Sequence, residues 1–257
     1  MHFSRARTVS PRLDVVASSP STNSELRERL TTEGADSWPH LSVLLTDNQS
    51  SGKGRLDRTW HTPPGTALAI SVVLDVQHLG AELRGWLPLV AGLAMRHAIA
   101  QQCQARTVSV KWPNDILIGE RKICGILAEV VDTQRVIIGT GVNTAMTTEQ
   151  APAATATSFA MEGTTCDADR LLSDYLQHLD SHVKSLIRAG NASSSGILSE
   201  ARQHCSTLGQ KVRVMLPHTS DLHGTAHDIA DDGRIIVRTE NGDHTISAGD
   251  IVHLRAQ

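Results

Sequence analysis

Aromatic side chains are scarce in this 257-residue chain, with one tyrosine, two phenylalanines and four tryptophans. A core must therefore rest on Leu, Val, Ile and Ala, and the length allows one large domain, or a large and a small one, to bury it. No apolar run reaches the roughly 18 residues of a membrane-spanning helix. The N-terminal MHFSRARTVSPRL lacks the unbroken apolar stretch of a signal peptide. Neither sign of charge dominates: 24 Lys and Arg face 27 Asp and Glu, a net −3, so no global field draws in DNA or an anionic membrane. Cys103, Cys124, Cys166 and Cys205 form no CxxC pair, which points to a reduced, cytoplasmic chain and away from zinc. HExxH and the GxSxG elbow are also missing, so zinc proteolysis and triad hydrolysis have no support.

What is present divides into two parts. The first ~20 residues read as extended and poorly structured, with too little periodicity for an element. Ser21 or Thr22 then offers an N-cap, and Glu25 is set to close a capping box on a helix running to about Leu30. LSVLLT (41–46) and ALAISVVL (67–74) have strand length, the second with burial expected on both faces. Helical spacing spans Glu82 to Gln102. VSVKW and NDILI are short strands broken by Pro113. ICGILAEVV returns as a hairpin, and QRVIIGTGVN follows. Residues 151–166 read as loop, 167–189 as helix, and a further helix covers ILSEARQHC. After Leu208 five short strands with turn residues between them predict a small all-β barrel. The boundary expected from this pattern separates 1–207 from 208–257.

Three stretches carry chemistry. GKGRLDRTW (52–60) interleaves Lys53, Arg55 and Arg58 with Gly52 and Gly54, and ends in Trp60. Glycine lets the backbone approach an anion while arginine forks match carboxylate or phosphate. The segment is equally readable as a solvated basic loop. In KWPNDI (111–116), Pro113 keeps Trp112 out of the helical region, so Lys111 ends a strand. Either it leaves on the exposed face or its ammonium meets a buried anion. Asn114 and Asp115 then offer an amide and a carboxylate. GTGVN (139–143) sets two glycines at the end of an apolar strand, where α/β proteins often bind ligands, yet no helix pattern follows as a dinucleotide fold requires.

Taken together, STN (21–23), TDNQSSGKGRLDRTW (46–60), KWPNDI, RKICGILAEV (121–130), GTGVN and the C-terminal strands resemble the biotin–protein ligases over about residues 14–257. The resemblance implies an α+β, class II synthetase-like core, a mixed sheet with flanking helices, followed by a small SH3-like β-barrel. It implies an enzyme that joins biotin and ATP, with Mg²⁺, into biotinyl-5′-AMP and pyrophosphate. Biotin then passes to one lysine of a biotin carboxyl-carrier domain, as found in acyl-CoA or pyruvate carboxylases. Carried over by motif, Ser21, Thr22, Asn23, Gln49, Lys53, Gly54, Arg55, Lys111 and Gly125 line the biotin site. Arg58, Trp60, Asn114 and Asn143 serve the nucleotide. Lys111 and Arg55 are the expected catalytic cations, and no metal ligand is assigned.

Asp57 departs from the family's basic loop by placing a negative charge beside Arg58, while Cys124 stands where glycine or alanine is usual. Only ~20 residues precede STN, fewer than a winged-helix DNA-binding domain needs. The expectation is therefore a ligase without DNA or membrane partners, as a monomer or weak homodimer. Lipoate or octanoyl–protein ligation on the related fold is the alternative. A non-catalytic biotin-binding module and a nucleic-acid-binding barrel are the other classes, disfavoured by the cations and by the net charge respectively.

Overall fold

The computed structural model describes residues 2–55, 58–60, 62–104, 106–215 and 221–247, together with the backbone of 250–253. Strands β1 (Leu13–Val15), β2 (Val43–Thr46), β3 (Gly52–Lys53), β4 (Thr59–Trp60), β5 (Ala67–Asp75), β6 (Val108–Lys111), β7 (Asp115–Ile118), β8 (Arg121–Val130) and β9 (Arg135–Asn143) belong to the first part. Helices α1 (Ala6–Val9), α2 (Thr22–Glu33), α3 (Leu87–Gln102), α4 (Ala168–Ala189) and α5 (Ile197–His204) accompany them. Seven strands make one mixed sheet in the order β1-β2-β5-β9-β8-β7-β6, and β3 pairs with β4 as a separate ribbon.

The alternation of β5 and β9 divides the molecule into layers. Leu68, Ile70, Val72 and Leu74 join the main apolar cluster with α3 and α4, while Val73 and Ile137 pack with Leu26, Leu30, Trp38 and Leu44 beneath α2. All of β5 except Asp75 is buried, because helices cover both faces. A 3₁₀ turn (Ala81–Trp86) precedes α3, and Pro88 sits in the first turn of α3, where its missing N–H costs no helical bond.

The N-terminal segment, which the sequence leaves unstructured, is built into the core. Phe3 and Ala6 are buried. The carboxylate of Asp169 at the start of α4 accepts from Arg5 N–H (3.0 Å), Ala6 N–H (2.9 Å) and Ser4 Oγ–H (3.2 Å), capping α1 from a distant element. The capping box expected at Glu25 does not form. Ser21 is the N-cap, 3.5 Å from Ser24 N–H, and Glu25 pairs with Arg29 at 2.7 Å. GTGVN forms the last five residues of β9.

The C-terminal part holds β10 (Lys211–Met215), β11 (Leu222–Ile229), β12 (Ile235–Thr239), β13 (Gly242–Ile246) and β14 (Asp250–His253). Their antiparallel ladder runs β13-β12-β11-β10-β14 and is open between β13 and β14 among the described residues, where a closed barrel is expected from sequence. Val212, Val214, Ala226, Ile235 and Val237 continue the main apolar cluster of the first part. Trp86 Nε1–H donates to Asp231 O (2.7 Å) and Trp112 Nε1–H to Gly233 O (3.0 Å), pinning the β11–β12 turn onto the larger sheet. No helix among the described residues is long and apolar enough to cross a membrane.

Burial works against the Asp169 carboxylate, but the N–H groups of Ala6 and Arg5 and the Ser4 hydroxyl outweigh it and hold its pKa below the usual range. Its contribution to stability is present above the unfolded-state pKa and is lost as pH falls through the lowered folded value. Asp169→Ala should cost about 1–2 kcal/mol at neutral pH. It should also flatten the acid limb of a stability profile measured by urea unfolding from pH 7 to pH 3; an unchanged limb would dismiss the cap.

Candidate functional site

The α2 side of the sheet opens into a cleft of about 820 Å³. Its floor follows from cross-strand register. Ala69 faces Gly141 and Ser71 faces Gly139 between β5 and β9, while Gly141 faces Gly125 and Gly139 faces Leu127 between β9 and β8. Apart from Leu127, these positions carry little side-chain volume, and the space left over is the cleft. Two glycines are required by close approach. A Cβ on Gly141 would lie 2.5 Å from Trp60 Cε2, and one on Gly139 would lie 2.4 Å from Asn23 Oδ1.

One end of the cleft is polar. Ser21, Thr22 and Asn23 bring the N-terminus of α2 to it. Gln49 Oε1 accepts from Thr22 N–H at 2.9 Å and lies 3.2 Å from Thr22 Oγ1. Asn23 Nδ2–H donates to Glu129 Oε2 at 2.6 Å.

The opposite flank is cationic. The β3–β4 ribbon carries Lys53, Arg55 and Arg58 around Gly54, whose N–H donates to Arg58 O at 2.6 Å. Arg55 Nη1–H donates to Asn114 Oδ1 at 3.1 Å, and Asn114 Nδ2–H to Ile126 O at 2.7 Å. Lys53 Nζ–H donates to Ser24 Oγ at 3.0 Å. Burial pulls the Arg55 pKa below the ordinary arginine value, with Asp115 opposing and Arg58 adding to the fall. Leu56 and Asp57, the latter marked by the sequence as the acidic departure in this loop, lie outside the described residues.

Trp60 lies against the glycine floor. Lys122 Nζ is 5.5 Å from its ring centroid, and the indole Nε1 is buried without a partner among the described residues.

The structure thus gathers Ser21, Thr22, Asn23, Gln49, Lys53, Gly54, Arg55, Arg58, Trp60, Asn114 and Gly125 around one cleft. Two residues singled out from sequence are not in its lining. Asn143, at the end of β9, is buried. It donates through Nδ2–H to Thr157 O at 2.9 Å, while its Oδ1 has no partner among the described residues. Lys111 ends β6, the outermost strand of the sheet and three strands from β9. It is half-buried, and burial lowers its pKa, against Asp115 and with Lys122 and Arg58.

Besides Lys53, the lining holds Lys122, on β8 and paired with Asp115 Oδ1 at 2.7 Å. Sequence reasoning quoted it within RKICGIL and passed over it. The signal was a lysine three residues before a glycine on a strand that also supplies the floor. Lys53, Arg55, Arg58 and Lys122 face a single lining acid, Asp115, so the cleft is locally cationic in a net acidic chain. Among the described residues no group of three or more His, Cys, Asp or Glu is arranged to hold a metal ion.

Residues 15–143 match the model of the Biotin/lipoate A/B protein ligase family, and residues 207–254 that of the Biotin protein ligase C terminal domain. The biotin–[acetyl-CoA-carboxylase] ligase of Mycobacterium tuberculosis is 34% identical over 245 residues, 95% of this chain and 89% of that protein. The biotin protein ligase of Aquifex aeolicus, solved with biotin and ATP, superposes with a TM-score of 0.77 at 25% identity over 95% of this chain and 99% of that one. That of Leishmania major, solved with biotinyl-5-AMP, gives 0.66 at 26% identity over 93% and 99%. The chain belongs to the biotin protein ligase family.

Gly141→Ala should displace Trp60 from the floor and weaken ligand binding to the cleft about tenfold or more. Its circular dichroism should match that of the unsubstituted protein. Wild-type affinity in isothermal titration would dismiss the close-approach reading.

Proposed function

We propose that this chain is an ATP-dependent biotin–protein ligase. In this reading it converts biotin and ATP to biotinyl-5′-AMP and pyrophosphate, then transfers biotin to a lysine of the carrier domain of a biotin-dependent carboxylase. The observation that carries the reading is one cleft with a neutral polar end and a cationic flank on either side of a side-chain-poor floor. Biotin has the matching polarity: a ureido ring that donates and accepts hydrogen bonds, an apolar middle and a carboxylate. Lipoate ends in a dithiolane without N–H groups, which offers the polar atoms of Thr22, Asn23 and Gln49 no hydrogen bond from the ligand. The C-terminal domain match at 207–254 also favours biotin.

In the first step a biotin carboxylate oxygen attacks the α-phosphorus of ATP. The bond to the bridging oxygen breaks and pyrophosphate leaves with the electron pair. Two anions must meet and more negative charge gathers in the transition state, so fixed cations facing that point lower the barrier. Lys122 and Arg55 are the cations best placed for this, because both line the cleft next to Asn114 and Asp115. Lys111, opposite Asp115 in the β6–β7 ladder, adds positive charge from the sheet edge.

Mg²⁺ would be held chiefly by the phosphates, with Asp115 the one lining carboxylate able to join them, and would neutralise phosphate charge. Trp60 and Arg58 would border the nucleotide. The unsatisfied Oδ1 of Asn143 would accept from a nucleotide N–H or O–H if the 144–158 segment shifts. In the second step the acceptor lysine amine attacks the biotinyl carbonyl, loses its proton to solvent, and AMP departs. No covalent enzyme intermediate is required.

Incubation with ATP and each acid should yield biotinyl-AMP by mass spectrometry; lipoyl-AMP alone would overturn the assignment. Lys122→Ala should lower pyrophosphate release at least 100-fold, and Lys111→Ala by about tenfold or less. The reverse order would return the contact role to Lys111. Arg55→Gly should let adenylate escape and label lysines outside the carrier domain, and labelling confined to the carrier would refute a retaining role for the ribbon.

A further inference from the structure

Ser71 is fully buried in the middle of β5, among Ala67–Leu74 where every other side chain is apolar. A hydroxyl there costs stability unless it is bonded. It lies 2.6 Å from Asn23 Oδ1 and 2.8 Å from Thr22 Oγ1, directly under the polar end of the cleft. The other side of the Asn23 amide faces the Glu129 carboxylate. Nδ2–H donates to Glu129 Oε2 at 2.6 Å, with Leu127 O a longer partner at 3.4 Å. Arg27 Nη2 stands 4.0 Å from the other Glu129 oxygen, holding the carboxylate from outside.

An asparagine amide can take two orientations related by a half-turn, and its neighbours decide between them. Ser71 does not decide, since a hydroxyl both donates and accepts. Glu129 does, because a carboxylate can only accept, and the flipped amide would set oxygen against oxygen. The carboxylate therefore fixes Nδ2 on its own side and Oδ1 on the Ser71 side. There Oδ1 lies over Gly139, where no Cβ intervenes. An amide oxygen has two lone pairs. One takes the Ser71 proton, and the second is available to a ligand donor.

We propose that Glu129 is a positioning residue for biotin selection: it locks the Asn23 amide so that Oδ1 is offered to a ring N–H of the ureido group, with Ser71 holding the lock in register. Glu129 itself does not touch the ligand. The inference rests on the biotin reading of the cleft and adds to it the means by which donors are told from acceptors. A ligand with an acceptor at that position meets the Oδ1 lone pair and is rejected.

The test compares biotin with its cyclic carbamate analogue, in which one ureido N–H is replaced by oxygen, using pyrophosphate release by the full chain. Glu129→Gln keeps the size but can donate or accept, so only the longer contact with Leu127 O still opposes a turn of the amide. Biotin KM should rise about tenfold with kcat within about twofold, and the preference for biotin over the carbamate should fall by a similar factor. Ser71→Ala should raise KM less and leave the preference in place, because Glu129 still sets the orientation.

Thermal unfolding is followed in parallel. A preference unchanged in Glu129→Gln overturns the lock, and so does a KM rise shared equally by both ligands. If Glu129→Gln does not fold, Glu129→Ala takes its place, with the same loss of preference expected and an unchanged preference overturning the lock. Asn23→Ala separates this inference from the reading beneath it. If Asn23→Ala leaves biotin KM untouched, the cleft assignment fails; if only Asn23→Ala changes KM and selectivity, the lock alone fails.

Discussion

Trp60 can lie flat against β9 only because residue 141 has no side chain, and that contact depends on a wider constraint. Along one face of the sheet, β5, β9 and β8 meet through Ala69, Ser71, Gly125, Gly139 and Gly141. A few residues further along the same strands, Val73 and Ile137 fill the equivalent layer beneath α2 with apolar bulk. The helix thus rests on that layer through Leu26 and Leu30, and at its N-terminus Thr22 and Asn23 meet the sheet at Ser71 and over Gly139. The space beside that N-terminus is the cleft, and Gln49, Arg55, Arg58, Asn114 and Lys122 reach it from the rim. Close packing elsewhere makes the gap a fixed shape and not a fluctuating void.

The electrostatics follow from the same layout. Charge comes from two independent directions, the β3–β4 ribbon and the start of β8, and is tempered by Asp115 alone among the lining residues. Burial already disfavours the charged form of Arg55 and Lys111. An entering anion relieves that penalty, so polyanion binding and the high local density of cations favour one another. The polar end needs no charge in contact with the ligand. Glu129 sits one layer away, partnered by Arg27 and Asn23.

Much of this was legible in the sequence, for identifiable reasons. Helix α2, its serine cap and the strands of the sheet have strong local signals, and the GKGR and KWPND motifs pointed to one anionic ligand. Asn23, Gln49 and Arg55 were found because their motifs are contiguous. Strand order adds what local sequence does not carry: Lys111 on the outermost strand stands opposite Asp115, and Lys122 on β8 pairs with the same carboxylate, so both lysines bring charge to one side of the site. The N-terminal residues were misread because their cap, Asp169, lies more than 160 positions away. Ser71 was hidden inside a run that reads as plain apolar strand. GTGVN ends β9 as its pattern predicts, but only the fold shows that its two glycines clear room for Trp60 and Asn23.

The placement of the tryptophans has an optical consequence. Trp38, Trp86 and Trp112 are all but fully enclosed, the first under the Arg12 guanidinium at 3.7 Å and the other two tied to carbonyls of the C-terminal part. Trp60 alone borders the cleft. The chain's intrinsic fluorescence therefore separates into three emitters that report the folded frame and one that reports occupancy. Quenching by small solutes, and its loss on ligand entry, belongs to a single residue without any label being introduced.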